Sequence, residues 1–198
     1  MQKTARMENR TKRWREQRWL LDSVIKTVGP EWDQGRLGGK GSKGGASGLA
    51  SFRRAGAKMK KFDDIGPEFG REGQRRETIA RDFEEQGRFV SAYENYFIAS
   101  LLYASAQWPY FDLNDEDLEW ERRMIECYDK FIAHSPHPVE RVDIPFKDAA
   151  LSAFLHLPAT PLENDIFPCV LHIGGMDGSK ENMVALHGDS ALKRGMAV

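Results

Sequence analysis

Cysteine is scarce in this chain. Cys127 and Cys169 are the only two in 198 residues, and they fall on different predicted elements. A disulfide framework is therefore not expected, and a reducing cytoplasm is the expected location. Apolar runs are all far shorter than a membrane span, so no membrane association is expected. The N-terminus is basic but has no apolar stretch behind it, so nothing there suggests a secretion signal. No Gly-x-Ser-x-Gly occurs anywhere, so the chain holds no nucleophile elbow. Neither His134 nor His137 has a Cys or carboxylate at metal-ligand spacing, and no metal or cofactor is expected.

What is present suits a soluble globular protein: 40% hydrophobic and 30% charged residues. The net charge of −1 conceals an asymmetry. Residues 1–61 carry 16 Lys/Arg against 5 Asp/Glu, while residues 62–198 carry 13 against 25. A basic arm can bind nucleic acid. Aromatic residues for base stacking are sparse there, so the favoured reading is neutralisation by the acidic remainder, with no nucleic-acid partner.

Hydrophobic periodicity predicts a helix over residues 1–28, with Trp14, Trp19, Leu20, Val24 and Ile25 near helical spacing and Gly29-Pro30 as its stop. Residues 35–48 contain seven glycines and predict a flexible loop, extended to 35–50 as a segment. Gly39-Lys40 is not a phosphate loop, because Gly41 stands where Ser or Thr would reach the metal. Residues 68–88 predict a charged helix. Residues 89–106 predict an aromatic-faced helix ended by Trp108-Pro109. Asn114 or Asp115 caps a further helix to about Ile132. The last two should pair as an antiparallel hairpin with Gln107-Trp108 at its tip, where the sequence alone does not decide whether they face a ligand. Cys127 lies on the apolar side and reads as structural.

Beyond His134-Ser135-Pro136-His137-Pro138 the pattern changes. Glu140–Phe146 and Ala150–Leu157 alternate polar and apolar around Lys147-Asp148, which predicts a β-hairpin. Cys169-Val170-Leu171-His172-Ile173 is nearly all apolar, as buried parallel strands are, with His172 as a packed core histidine. A helix over Met183–Lys193 and a strand beginning at Met196 would complete a crossover. The sheet has only begun to form, so the chain reads as the front of a larger α/β enzyme. Residues 1–135 are expected to be a helical region and 139–198 an incomplete sheet core, with the helical region folding better alone.

The turn Gly174-Gly175 is the best chemical candidate. Its backbone amides can approach a ligand closely and stabilise an oxyanion, although tight strand-to-helix turns also use glycine for packing. Ser190 lies in Gly188-Asp189-Ser190-Ala191-Leu192. It is rejected as a nucleophile, because Leu192 stands where the elbow needs glycine.

Several stretches resemble one family. They are Trp19-Leu20-Leu21-Asp22-Ser23-Val24-Ile25, Glu31-Trp32-Asp33-Gln34, Lys61-Phe62-Asp63-Asp64-Ile65, Tyr93-Glu94-Asn95-Tyr96-Phe97 and Tyr103-Ala104-Ser105-Ala106-Gln107-Trp108-Pro109. The Val139–Phe146 strand and the run from Pro168 to Glu181 complete the series. Together they resemble the start of the FrsA-like, 2,6-dihydroxypseudooxynicotine hydrolase-like group of α/β-hydrolases. The resemblance implies an α/β-hydrolase fold, truncated after its first core strands and preceded by an α-helical cap domain. It also implies a serine hydrolase acting on an ester, or on a carbon–carbon bond beside a carbonyl. Its partner would be a small ester or ketone substrate, and its full-length form is compatible with a homodimer. The family's oxyanion-hole turn corresponds to Gly175 and Met176, with the Met176 amide as donor. The triad nucleophile, acid and histidine are absent from the chain. The competing reading is a non-catalytic, tetratricopeptide-like helical pair that binds protein partners. It lacks the repetition such arrays need and leaves the strands unexplained.

Overall fold

The computed structural model describes residues 2–29, 38–110, 113–159, 166–175, 178–186 and 190–198, with side chains from Arg15 onward. Six helices come first: α1 Gln2–Val28, α2 Gly39–Lys43, α3 Gly45–Gly56, α4 Ile65–Glu85, α5 Phe89–Ala106 and α6 Asp115–His134. A hairpin follows, β1 Val139–Phe146 and β2 Ala149–His156. None of the described helices is long and apolar enough to cross a membrane.

The core centres on α5. Leu101, Leu102, Tyr103, Phe97 and Ala99 are fully enclosed. Such an all-round apolar helix requires partners on every side. α4 covers one flank and α6 another, as the predicted hairpin requires. Asn114 caps α6 by accepting from the Asp117 N–H at 2.9 Å, and acidic residues fill that first turn. Gly87, at φ +70°, ends the α4 segment in the left-handed conformation that glycine tolerates best.

A row of small residues lets α4 come close. A Cβ on Gly66 would sit 2.6 Å from the Tyr110 hydroxyl, one on Gly70 2.5 Å from the Trp120 ring, and one on Gly73 2.8 Å from the Tyr103 ring. Three aromatic rings therefore lie against bare backbone, and Tyr103 stacks on Trp120 with centroids 5.8 Å apart.

The polar face of α4 ties the helices together. Arg76 donates to Ser51 Oγ at 2.7 Å, Ser47 Oγ at 2.9 Å and Asn95 Oδ1 at 2.8 Å, joining α3 and α5. At the far end, Glu84 accepts from Tyr96 at 2.7 Å and Lys130 at 2.9 Å, and its Oε1 lies 2.7 Å from His134 Nε2. Burial disfavours that carboxylate, yet the bonds to His134, Tyr96 and Lys130 outweigh it and hold its pKa at about 2.

The structure corrects the flexible-loop expectation for 35–50. From Gly39 on, that segment is helical, and residues 35–37 lie outside the described residues. Gly44 and Gly48 act as spacers. A Cβ on Gly48 would stand 2.7 Å from the Gly41 carbonyl oxygen, and one on Gly44 3.0 Å from Ile98. Helix propensity disfavours this glycine content, but tertiary packing and the Arg76 bonds override it. α1 also departs from its predicted stripe. Ile25 is buried, but Trp19 is 63% exposed and Leu20 48%.

β1 and β2 pair antiparallel from Val139↔His156 to Phe146↔Ala149. Lys147, at φ 54°, turns the two-residue loop. β1 is mostly exposed along its length rather than half-buried. The end of the chain joins this hairpin. His156 and Val198 exchange both backbone bonds, at 2.8 and 3.0 Å, and Ala197 pairs parallel with Cys169. The spatial order is β1, β2, 197–198, 168–170.

Replacing Gly70 with Val should destabilise the protein by about 1–3 kcal/mol through overpacking against Trp120. Chemical denaturation would measure it, and an unchanged midpoint would contradict the close approach. Glu84 has a depressed pKa, so its contribution is full above about 4.5 and disappears as pH falls toward about 2. Glu84→Gln should cost about 1–2 kcal/mol at pH 7 and little at pH 2. Melting curves across that range that stayed parallel for the two proteins would refute it.

Candidate active site

The segment entering the glycine turn is not the buried strand expected for 169–173. Only Cys169 forms a bridge, while Leu171 is 76% exposed and Ile173 82%. His172 is exposed as well and is not a packed core histidine. A parallel strand needs neighbours and cover on both faces, and among the described residues only 197–198 supplies any. The helix expected over Met183–Lys193 is likewise not found. Short 3-10 turns at Lys180–Asn182 and Leu192–Arg194 stand instead, and residues 187–189 lie outside the described residues. Val184, Ala191 and Val198 form a small separate cluster, so this segment buries little surface with which to stabilise a helix. Ser190 is exposed in a turn, not in a helix.

The Gly178 N–H donates to the Gly175 carbonyl at 3.0 Å. Met176 and Asp177 lie outside the described residues, so the expected donor is not placed. The glycines differ in their surroundings. A Cβ at Gly178 would meet the Met183 methyl at 3.1 Å and one at Gly174 would meet it at 3.5 Å, whereas one at Gly175 would meet nothing within 4 Å. Gly175 thus presents open space, and internal packing does not require a glycine there.

Two cavities flank the turn. One, of about 300 Å³, opens between the hairpin tip and the turn and is lined by Gln107, Trp108, Tyr110, Lys40, Ser179 and Asn182 among others. The structure therefore brings Gln107-Trp108 next to the residues that follow the glycines. Gln107 is held by donating to the Tyr103 carbonyl at 3.2 Å. The other cavity, about 370 Å³, lies between β2 and the entering segment, with Phe154, His156, His172 and Gly174 in its wall. Gly178 and Ser179 belong to both walls.

The remaining candidates sit elsewhere. His134 bonds Glu84, as described. His137 Nε2 lies 2.8 Å from His156 Nδ1, and His156 Nε2 3.2 Å from the buried Tyr128 hydroxyl, a chain that joins α6 to β2. Burial pushes the His137 pKa down and the Cys127 thiol up, which leaves Cys127 inert. Among the described residues no group of three or more His, Cys, Asp or Glu could hold a metal ion. Sequence reasoning missed Lys40, Lys43 and Asn182 as neighbours of the turn. The Ser179 and Asn182 spacing, i and i+3, was a legible turn signal, and the Ser179 hydroxyl donates to the Asn182 side-chain oxygen at 3.1 Å.

Known proteins of similar sequence agree on a class. Esterase FrsA of Photobacterium profundum is 25% identical over 126 residues, which is 64% of this chain and 29% of that protein. Alpha/beta hydrolase gkaG of Penicillium citrinum is 27% identical over 169 residues, 82% of this chain and 39% of that protein. Among solved structures, the 2,6-dihydroxy-pseudo-oxynicotine hydrolase matches with a TM-score of 0.61 at 23% identity, over 80% of this chain and 43% of that one. The chain spans less than half the length of each of these relatives, and the fold is that of an α/β-hydrolase. The family described as "Esterase FrsA-like" matches residues 74–198, most of the chain, and the chain belongs to that family.

Proposed function

We propose that these residues form the N-terminal part of a serine α/β-hydrolase that cleaves an ester, or a carbon–carbon bond beside a carbonyl, by acyl transfer. Membership in the esterase FrsA-like family carries this reading, because the matched span, 74–198, contains the whole glycine turn. In the proposed reaction a serine outside this chain gives its hydroxyl proton to the triad histidine and attacks the substrate carbonyl carbon; collapse of the intermediate breaks the C–O or C–C bond, the leaving group takes that proton, and water then releases the acyl group. The carbonyl oxygen takes up the negative charge, and the Met176 N–H, presented by the turn after Gly175, donates to it. A donor fixed beforehand stabilises that charge without reorganising at the moment of reaction. Open space at the Gly175 Cβ position supports access by a substrate atom.

The helical residues 1–135 would act as a cap over a core beginning at 139. Gln107 and Trp108 would line the small-molecule site, consistent with their place in the cavity beside Ser179. The tetratricopeptide-like alternative is not favoured. The family match runs through both strands and the turn, which a helical protein-binding pair has no need of.

Short-chain p-nitrophenyl esters and an aryl ketone, assayed with the protein that carries this chain, test the proposal. Gly175→Val meets no internal clash, so it should fold normally while lowering kcat/KM by about a hundredfold or more. Equal turnover by the two proteins would remove the turn from the reaction. No hydrolysis of either substrate class by the native protein would remove the hydrolase proposal.

A further inference from the structure

Lys43 closes α2 in the glycine-rich stretch, 31 residues before the family match begins. Its ammonium donates to the Asn182 carbonyl and, at 3.1 Å, to the Met183 carbonyl. Its own carbonyl accepts from the Leu186 N–H at 2.9 Å. One residue of the helical layer thus grips the segment after the glycine turn at three backbone groups. A cation at the carbonyl end of the Lys180–Asn182 turn is also favoured electrostatically, since so short a helix cannot satisfy those carbonyls internally.

The two gripped residues are the ones that hold the turn. The Asn182 side chain bonds Ser179, just beyond Gly178. The Met183 methyl is the neighbour that Cβ atoms on Gly174 and Gly178 would meet. Leu186 is buried in the main helical core. A continuous path runs from Lys43 through Asn182 to Ser179 and through Met183 to Gly178, whose N–H donates to the Gly175 carbonyl. The Gly44 and Gly48 contacts fix the helix from which Lys43 extends.

We infer that Lys43 is a positioning residue for the candidate site, acting through Asn182 and Met183 to hold in place Gly178 and Ser179, the residues that both cavities share. Its catalytic consequence rests on the hydrolase reading. Its structural consequence does not, and the two are measured separately.

Lys43→Met keeps the aliphatic stem and removes the ammonium, and Lys43→Arg restores a donor. Hydrogen exchange followed by mass spectrometry reads the structural part. In Lys43→Met, peptides spanning 174–186 should exchange about tenfold faster, those from α5 and α6 should not change, and Lys43→Arg should return toward native protection. Unchanged exchange at 174–186, or an equal loss over α5 and α6, would overturn the inference. In ester hydrolysis, kcat should fall about tenfold or more, with KM within about twofold and partial rescue by Lys43→Arg. Faster exchange with unaltered kcat would overturn the positioning role. A native protein inactive on every ester would defeat the hydrolase proposal, and the exchange data would still decide whether Lys43 holds the turn.

Discussion

The close approach of α4 to the rings of Tyr103, Tyr110 and Trp120 is the constraint on which the other contacts depend. Gly66, Gly70 and Gly73 leave bare backbone where any side chain would strike a ring. Only at that separation do Arg76 and Glu84, on the same helix, reach their partners on α3, α5 and α6. The glycines cost helix propensity, about 1 kcal/mol each relative to alanine, and aromatic burial offsets it. The polar bonds then select one register among the arrangements that burial alone would permit.

The helical hairpin was legible because its signals were local. α5 and α6 declare themselves by apolar spacing, by the Asn114 cap and by Trp108-Pro109, and the β-hairpin by alternation about Lys147-Asp148. The glycine-rich stretch was not legible in the same way. Its glycines act as spacers against Ile98 and Phe52, and nothing local distinguishes a spacer from a flexible joint. The 169–173 segment failed for the opposite reason. Its composition states what it needs, cover on both faces, and the described residues supply only one neighbour.

The candidate site was half legible. Gly174-Gly175 marked the turn and Gln107-Trp108 marked a hairpin tip, but no local signal said that the two lie side by side. Lys43 could not be found, since its partners lie about 140 residues away and are backbone carbonyls, which carry no sequence identity. A glycine-rich helix that looks dispensable thus becomes the bracket between the helical layer and the turn.

The order β1, β2, 197–198, 168–170 has a temporal consequence. The strand that fits between the other two is the last of them to be synthesised. Until it emerges, the facing edges of β2 and of 168–170 have backbone donors and acceptors with no strand to bond. Such edges recruit foreign strands. The helical layer, built from contacts close in sequence, can form first and rapidly. On a ribosome it would shelter one side of the hairpin through Tyr128, His156 and His137 while the gap waits to be filled.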